Sequence, residues 1–327
     1  MALFGIFYLY ANRLGGNFCE GGYLLVTDAY TGSGTMTLFV LLLVLVGFGT
    51  KAGMFPMHGW LPTAHPVAPA PASAVLSGII TKAGVLAIIR VLFYTVGPEV
   101  LRGTWVQYVW MTLTLTTVFM GSMMAYKEPL LKKRLAYSTV SQVSYILFGL
   151  SVLNESGMAG ALSHFVFHSA VKNCLFLAAG AVIYKTGRKT VSDLAGIGKE
   201  MPVTMWCFTL VSITLVGIPP TSGFISKWYL AEGSLRSGID FYSWFGPAVL
   251  LLSAMLTAGY LLPISIRAFF PGDGYDYKKL QKKEPNLLMT APMVLFTAAA
   301  VLLGMFPGPL MGFVQNLAAG IFQGGGV

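Results

Sequence analysis

His164, His168 and Lys172 follow one another at intervals of four in the segment LSHFVFHSAVKNCLF. On a helix turning 100° per residue, each step of four advances a side chain by about 40°, so the three form one polar stripe about 12 Å long. A neutral imidazole donates one hydrogen bond and accepts another, and its ordinary pKa near 6.5 lets it pass protons at physiological pH. A lysine removed from water can likewise release and regain its proton. The chemistry such a row suits is proton transfer. Ionisable groups can also serve as hydrogen-bonding glue between helices, but three in register exceed what packing requires. The pair has the i, i+4 spacing of the HExxH zinc motif, yet Phe165 stands where that motif has glutamate, and no third ligand is evident. Haem would need His58 or His65 as a partner, and both sit in a proline-rich connection ill suited to it. No metal and no cofactor is expected.

Three more lysines, Lys51, Lys82 and Lys227, lie inside otherwise apolar stretches, and no acidic residue lies deep in those stretches to neutralise them. A charge at the centre of a bilayer costs about 2.5–3.5 kcal/mol or more, so such positions ask for a function. Two of the stretches are interrupted. In LVGIPPTSGFISK, Pro219 and Pro220 remove backbone donors, while Gly217 and Gly223 permit unwound geometry, predicting a discontinuous helix beside Lys227. Pro56, five residues after Lys51, predicts a similar break. Irregular backbone at membrane depth survives only where protein or a water-filled cavity satisfies it. Lys82 falls 11 residues beyond Pro71, about 16 Å along a helix, which puts it near mid-membrane.

The elements that must hold these groups are membrane helices. Of 327 residues, 55% are apolar and 10% charged, too few charges to cover a surface facing water. Apolar runs predict spans near 35–56, 69–95, 104–125, 134–153, 157–184, 202–235, 243–270 and 286–318, preceded by a short piece at 2–11. The expected fold is an all-α bundle of about eight full transmembrane helices plus a partial N-terminal one, with two proline-broken helices. When alternate loops are assigned to opposite sides, one side collects Lys127, Lys132, Lys133, Arg134, Lys185, Arg188, Lys189, Lys199, Arg267, Lys278, Lys279, Lys282 and Lys283. The other receives Arg13, Arg90, Arg102 and Arg236, so the rich side is read as cytoplasmic. The formal charge of +9 thus follows from topology and implies no nucleic-acid partner. The three cysteines have no CxxC spacing and suggest no redox or metal chemistry.

The motifs KAGMFPMHGWLPTAHPVAPAPASAVLSG, IITKAG, LLKKRLAYSTVSQVSYI, HFVFHSAVKNCLFLAAGAVIY and GIPPTSGFISKWYL occur in this order over nearly the whole chain. In this the sequence resembles the antiporter-like proton-conducting subunits shared by respiratory complex I, energy-converting membrane hydrogenases and multisubunit cation/proton antiporters. The resemblance implies an inverted-repeat fold with a polar axis along the membrane plane. It assigns Lys51 as channel lysine of the first broken helix and Lys82 as the connecting lysine. Lys172 with His164 and His168 becomes the connecting group of the second half, and Lys227 the terminal ionisable residue, where some members carry glutamate. It divides the chain into the remainder of a first repeat (1–100), a second repeat (101–271) and a C-terminal helix (272–327). The helices that open the first repeat in that family, with the glutamate that pairs with the channel lysine, have no counterpart in this sequence, and no amphipathic lateral helix is expected after the last span. The chain therefore reads as a fragment, a split-gene product or a partner to another chain.

The function implied is proton translocation in the membrane arm of a redox-driven complex, with no redox chemistry in this chain. The alternatives are a subunit of a cation/proton antiporter, or an inactive scaffold. Expected partners are other membrane subunits, antiporter-like paralogues among them, with protons, or alternatively sodium ions, as the transported species; a bacterial or archaeal inner membrane is the expected location.

Overall fold

The computed structural model describes residues 1–12, 18–20, 22–23, 34–272 and 281–323; Arg13, Lys278 and Lys279 lie outside the described residues. All regular secondary structure among the described residues is helical, apart from one isolated bridge between Leu130 and Thr190. In chain order the helices of eight or more residues are α1 (Ala2–Ala11), α2 (Thr35–Ala52), α3 (Trp60–Val67), α4 (Ala70–Val96), α5 (Trp105–Lys127) and α6 (Leu131–Ser151). There follow α7 (Glu155–Thr186), α8 (Pro202–Val216), α9 (Ser222–Leu235), α10 (Asp240–Phe269), α11 (Leu287–Met305) and α12 (Gly308–Gln323). Six of them, α2, α4, α5, α7, α10 and α11, are long and apolar enough to cross a membrane.

The ends of these helices follow from local sequence. Pro202 opens α8, where its missing N–H is no loss. Asn154 caps α7: its Oδ1 accepts from the Gly157 N–H at 2.8 Å, and its Nδ2 donates to the Gly233 carbonyl at 2.7 Å, fastening α7 to α9. Glycines in the left-handed region close α2 (Gly53, φ 87°), α7 (Gly187, φ 71°) and α8 (Gly217, φ 89°).

The last expected span, 286–318, is two helices. The chain leaves helical geometry at Phe306 (φ −126°, ψ 65°), and Pro307, which has no N–H to continue the ladder, separates α11 from α12. The second piece packs against α7, and Gln315 Nε2 donates to the Tyr229 hydroxyl at 3.1 Å.

Helix α7 is the axis of the bundle, packed against α4, α6, α8, α9, α11 and α12. The apolar core around it is split in two along the helix direction. One half holds Leu131 and Leu135 of α6 with Val171, Cys174, Leu175, Phe176 and Val182 of α7; the other holds Val143, Tyr145, Phe148 and Leu150 of α6 with Met158, Ala159 and Ala161 of α7. Between them runs a buried polar belt: Ser138, Thr139, Ser141 and Gln142 on α6, and Ser163, His164 and His168 on α7. From Leu135 to Val143 is eight residues, about 12 Å of helix, which is the height of that belt.

The basic loops meet at one end of the bundle. The Leu131 N–H donates to Lys189 O, the Gly196 N–H to Arg267 O, and the Lys283 N–H to Glu200 O, while Arg188 pairs with Glu200 at 2.8 Å. Loops separated widely in sequence thus share one face, as alternate-loop topology requires. Lys189→Cys, on the exposed surface of that end, is expected to react with a membrane-impermeant maleimide only from the cytoplasmic side. Labelling above the parent chain in intact cells would reverse the orientation.

Candidate functional site

The four lysines and two histidines occupy unequal environments. Lys82 is 1% exposed and Lys172 0%, both inside the polar belt. Lys227 is half-buried, and Lys51 is exposed.

Helix α4 contains a π-helical turn at Leu76–Ile80, immediately before Lys82. Such wide turns loosen the backbone ladder and recur at functional sites. Here the Ser77 carbonyl accepts from Lys82 Nζ at 2.6 Å and from the Thr81 hydroxyl at 3.1 Å. The Ser77 hydroxyl lies 2.7 Å from that of Thr139 on α6, and Thr139 Oγ1 donates to Leu135 O at 3.0 Å. The same Leu135 oxygen accepts from Lys172 Nζ at 3.1 Å. Lys172 also donates to Ser138 Oγ at 2.7 Å, and Ser138 accepts from the Tyr260 hydroxyl of α10 at 2.8 Å.

His164 turns toward α6 and α9: its Nδ1 lies 2.8 Å from Ser226 Oγ and its Nε2 lies 3.2 Å from Gln142 Oε1. Neither ring nitrogen of His168 has a hydrogen-bond partner among the described residues, although the side chain is 1% exposed. No hydrogen bond joins His164, His168 and Lys172 to one another. The three do share a stripe, but the two histidine rings stack, 5.9 Å apart and 25° from parallel, and the His164 nitrogens meet facing helices rather than His168.

Lys227 sits at the second break. Its Nζ donates to Leu215 O at 2.7 Å and Val216 O at 2.9 Å, the unpaired carbonyls at the C-terminus of α8, whose dipole favours a cation. It also lies 5.2 Å above the Tyr145 ring, which stacks 5.6 Å from His164.

The break itself is made by Gly217 with Pro219 and Pro220, which form the non-helical turn. Gly223 is not part of it. It lies in the first turn of α9, and a Cβ there would come within 1.8 Å of Thr214 O. What requires glycine at 223 is the close approach of α8 to α9. Gly223→Ala must push these helices apart, and overpacking of this kind costs about 1–3 kcal/mol or more. Lower yield of folded protein and a lower melting temperature in detergent are expected; a variant as stable as the parent would contradict the assignment.

The first break has the same construction. Gly53 ends α2, Met54 N–H donates back to Gly49 O at 2.8 Å, and Pro56 lies in the turn that follows rather than ending the helix itself. Lys51, in the last turn of α2, faces outward with its Nζ 5.9 Å from the Trp60 ring. His65 is fully buried and stacks on Phe176 at 4.5 Å.

Sequence reasoning did not single out Ser77, Thr139, Ser138, Gln142, Ser226, Tyr145 or Tyr260. The signal for some was available in YSTVSQVSY of α6, a polar run within a helix that is buried along nearly its whole length. Among the described residues no group of three metal-binding side chains forms, and none of the three cysteines is in a disulfide.

The family Proton_antipo_M, described as NADH:quinone oxidoreductase/Mrp antiporter, TM, matches residues 1–257. The chain is 35% identical over 319 residues to NADH-quinone oxidoreductase subunit N of Desulforudis audaxviator, covering 93% of this chain and 61% of that protein. It is 33% identical over 275 residues to a Na(+)/H(+) antiporter subunit of Bacillus subtilis, covering 84% of this chain and 53% of that one. In fold it is similar to a chain of the Mrp complex from Dietzia sp. DQ12-45-1b, with a TM-score of 0.83 at 23% identity, over 99% of this chain and 65% of that one. The chain thus spans little more than half the length of the curated relatives it matches.

Proposed function

The chain belongs to the NADH:quinone oxidoreductase/Mrp antiporter membrane family and is a multi-pass integral membrane protein, and from that premise we propose that it carries protons across the bilayer as one subunit of a redox-driven complex. The observation that carries this reading is the buried polar belt, in which Lys82, Lys172, His168, His164 and Lys227 follow one another from the π-turn of α4 to the break between α8 and α9. Lys82 and Lys172 are almost wholly removed from solvent, and among the described residues no carboxylate is bonded to either ammonium, so each is held by neutral oxygens and can change charge without breaking an ion pair.

His168 adds a second argument. A histidine serving as glue would bond across a helix interface, and this one bonds to no described residue. A ring whose nitrogens are not committed to a described partner is suited to accept and hand on a proton.

We read α6 and the broken pair α8 and α9 as crossing the membrane as well, giving eight spans. The helix α6 falls outside the apolar set because it carries the polar belt and its first turn is basic. The two glycine-capped breaks, at Gly53 and Gly217, support an inverted repeat with residues 101–271 as its second unit. Lys51, exposed here, is assigned as a channel group that a further segment or subunit would cover.

An antiporter subunit without redox chemistry is the second reading, favoured by the 33% identity to the Bacillus subtilis protein. Hard cations prefer oxygen ligands, and among the described residues the belt offers hydroxyls and carbonyls but no carboxylate, which favours protons over sodium within this chain. Purification of the native complex separates the two readings. Co-purifying redox subunits support the first; a complex of antiporter subunits alone overturns it in favour of the second.

A further inference from the structure

We propose that the hydroxyl pair of Ser77 and Thr139 is the joint that couples the charge of Lys82 to the charge of Lys172, an inference that rests on the proton-carrying role assigned above. The four hydrogen bonds already described form an unbroken path. Lys82 is held by the carbonyl of Ser77, the Ser77 hydroxyl meets that of Thr139 at 2.7 Å, and Thr139 shares the Leu135 oxygen with Lys172. Every member is buried: Ser77 and Thr139 are 0% exposed. The path joins α4 to α6 and α7, across the boundary between the two sequence halves, and does not pass through the histidines.

Each hydroxyl has one proton to donate, so the pair has two arrangements. In one, Ser77 donates to Thr139 and Thr139 donates to Leu135 O. In the other, Thr139 donates to Ser77 and leaves Leu135 O to Lys172, while the Ser77 proton has no acceptor among the described residues, so this arrangement is populated only when Lys172 is charged. Leu135 O, with two lone pairs, accepts from both Thr139 and Lys172 here, but two donors on one oxygen weaken each other, and a charged ammonium is the stronger of the two. Charge on Lys172 therefore selects the second arrangement. The reversed Thr139 O–H dipole then turns its positive end toward Ser77, whose carbonyl holds Lys82, and opposes a second charge there. Charge on Lys82 selects the first arrangement, whose dipoles point at Lys172. The pair is a two-state element that both lysines bias, and it makes their charges alternate. The π-turn is what allows this, since it presents both the carbonyl and the hydroxyl of Ser77 to these partners. Ser77 and Thr139 are thus positioning residues.

The test uses the intact complex in inverted vesicles, with proton flux measured per assembled complex. Thr139→Val keeps shape and removes the hydroxyl, and Ser77→Ala removes the other partner. Each is expected to lower flux about three- to tenfold, the equivalent of one buried hydrogen bond. Thr139→Ser restores the hydroxyl and is expected to stay within about twofold of the parent, with the Ser77→Ala and Thr139→Val double variant no worse than the worse single. A merely structural hydroxyl would change the amount assembled and leave flux per complex unmoved. If Thr139→Val fails to assemble, Ser77→Ala alone decides. Parental flux in both single variants, with Lys172→Ala inactive, overturns the joint and leaves the proton-carrying role standing. Parental flux in Lys172→Ala overturns the role on which the joint rests.

Discussion

Lys172→Ala is expected to abolish most proton flux per assembled complex, by about a hundredfold or more, the scale on which positioned proton-transfer groups act. Its ammonium is the junction of the belt, shared between Leu135 O and Ser138 Oγ, with Thr139 and Tyr260 one bond further on. His168→Ala is expected to lose flux on a similar scale while assembling normally. The second expectation separates relay from glue more sharply than the first. Lys172 makes interhelical bonds from α7 to α6, so its removal disturbs packing as well as transport. His168 makes none to described residues, so a packing role predicts that its replacement changes little beyond filling volume. Groups in series lose function together, and the double variant is expected to cost little more than the worse single. Assembly lowered by separate increments in each variant, with flux per complex intact, would sink the relay.

Lys227→Ala is expected to impair pumping far more than assembly, because the ammonium serves the exposed carbonyls of a broken helix rather than a packed interface. The family resemblance suggests that glutamate at 227 would be milder, since some members carry it. The geometry here argues for a condition on that. A carboxylate at this place would face Leu215 O and Val216 O at the negative end of α8, where an ionised acid is repelled. A protonated acid could donate to either oxygen. Lys227→Glu is therefore expected to be nearly as inactive as Lys227→Ala at high pH and to recover as the pH falls, while Lys227→Ala stays inactive throughout. Flux per complex measured in the two variants across the pH range checks this, and equal profiles would show that the carbonyls do not set the charge preferred at 227.

The two breaks show how far local sequence reaches. Gly53 and Gly217 end their helices because only glycine enters the left-handed region without steric cost, and that holds in any surroundings. Six of the eight expected spans, the breaks and the stripe on α7 were legible for the same reason: they depend on near neighbours in the chain and on a solvent known from composition. The pairing of basic loops at one end was legible too, as a count of charges between apolar runs.

Distances between helices are another matter. Gly223 looks like a breaker in the sequence, yet it is a contact point, because what approaches it is Thr214 on the other side of the turn. The stripe on α7 looks like a bonded row, yet the direction of each polar atom is fixed by what α6 and α9 offer: Gln142 and Ser226 for His164, Leu135 and Ser138 for Lys172, and no described partner for His168. Serine and threonine occur in membrane helices largely as local partners of their own backbone, so Ser77 and Thr139, 62 positions apart, carried no mark of their meeting. The sequence by itself determined that this protein crosses a membrane with ionisable groups inside it, since both follow from residue type and helical period. Which of those groups are joined, and through which oxygens, was decided only by the tertiary structure, because a hydrogen bond needs its two atoms within about 3 Å and packing alone brings them there.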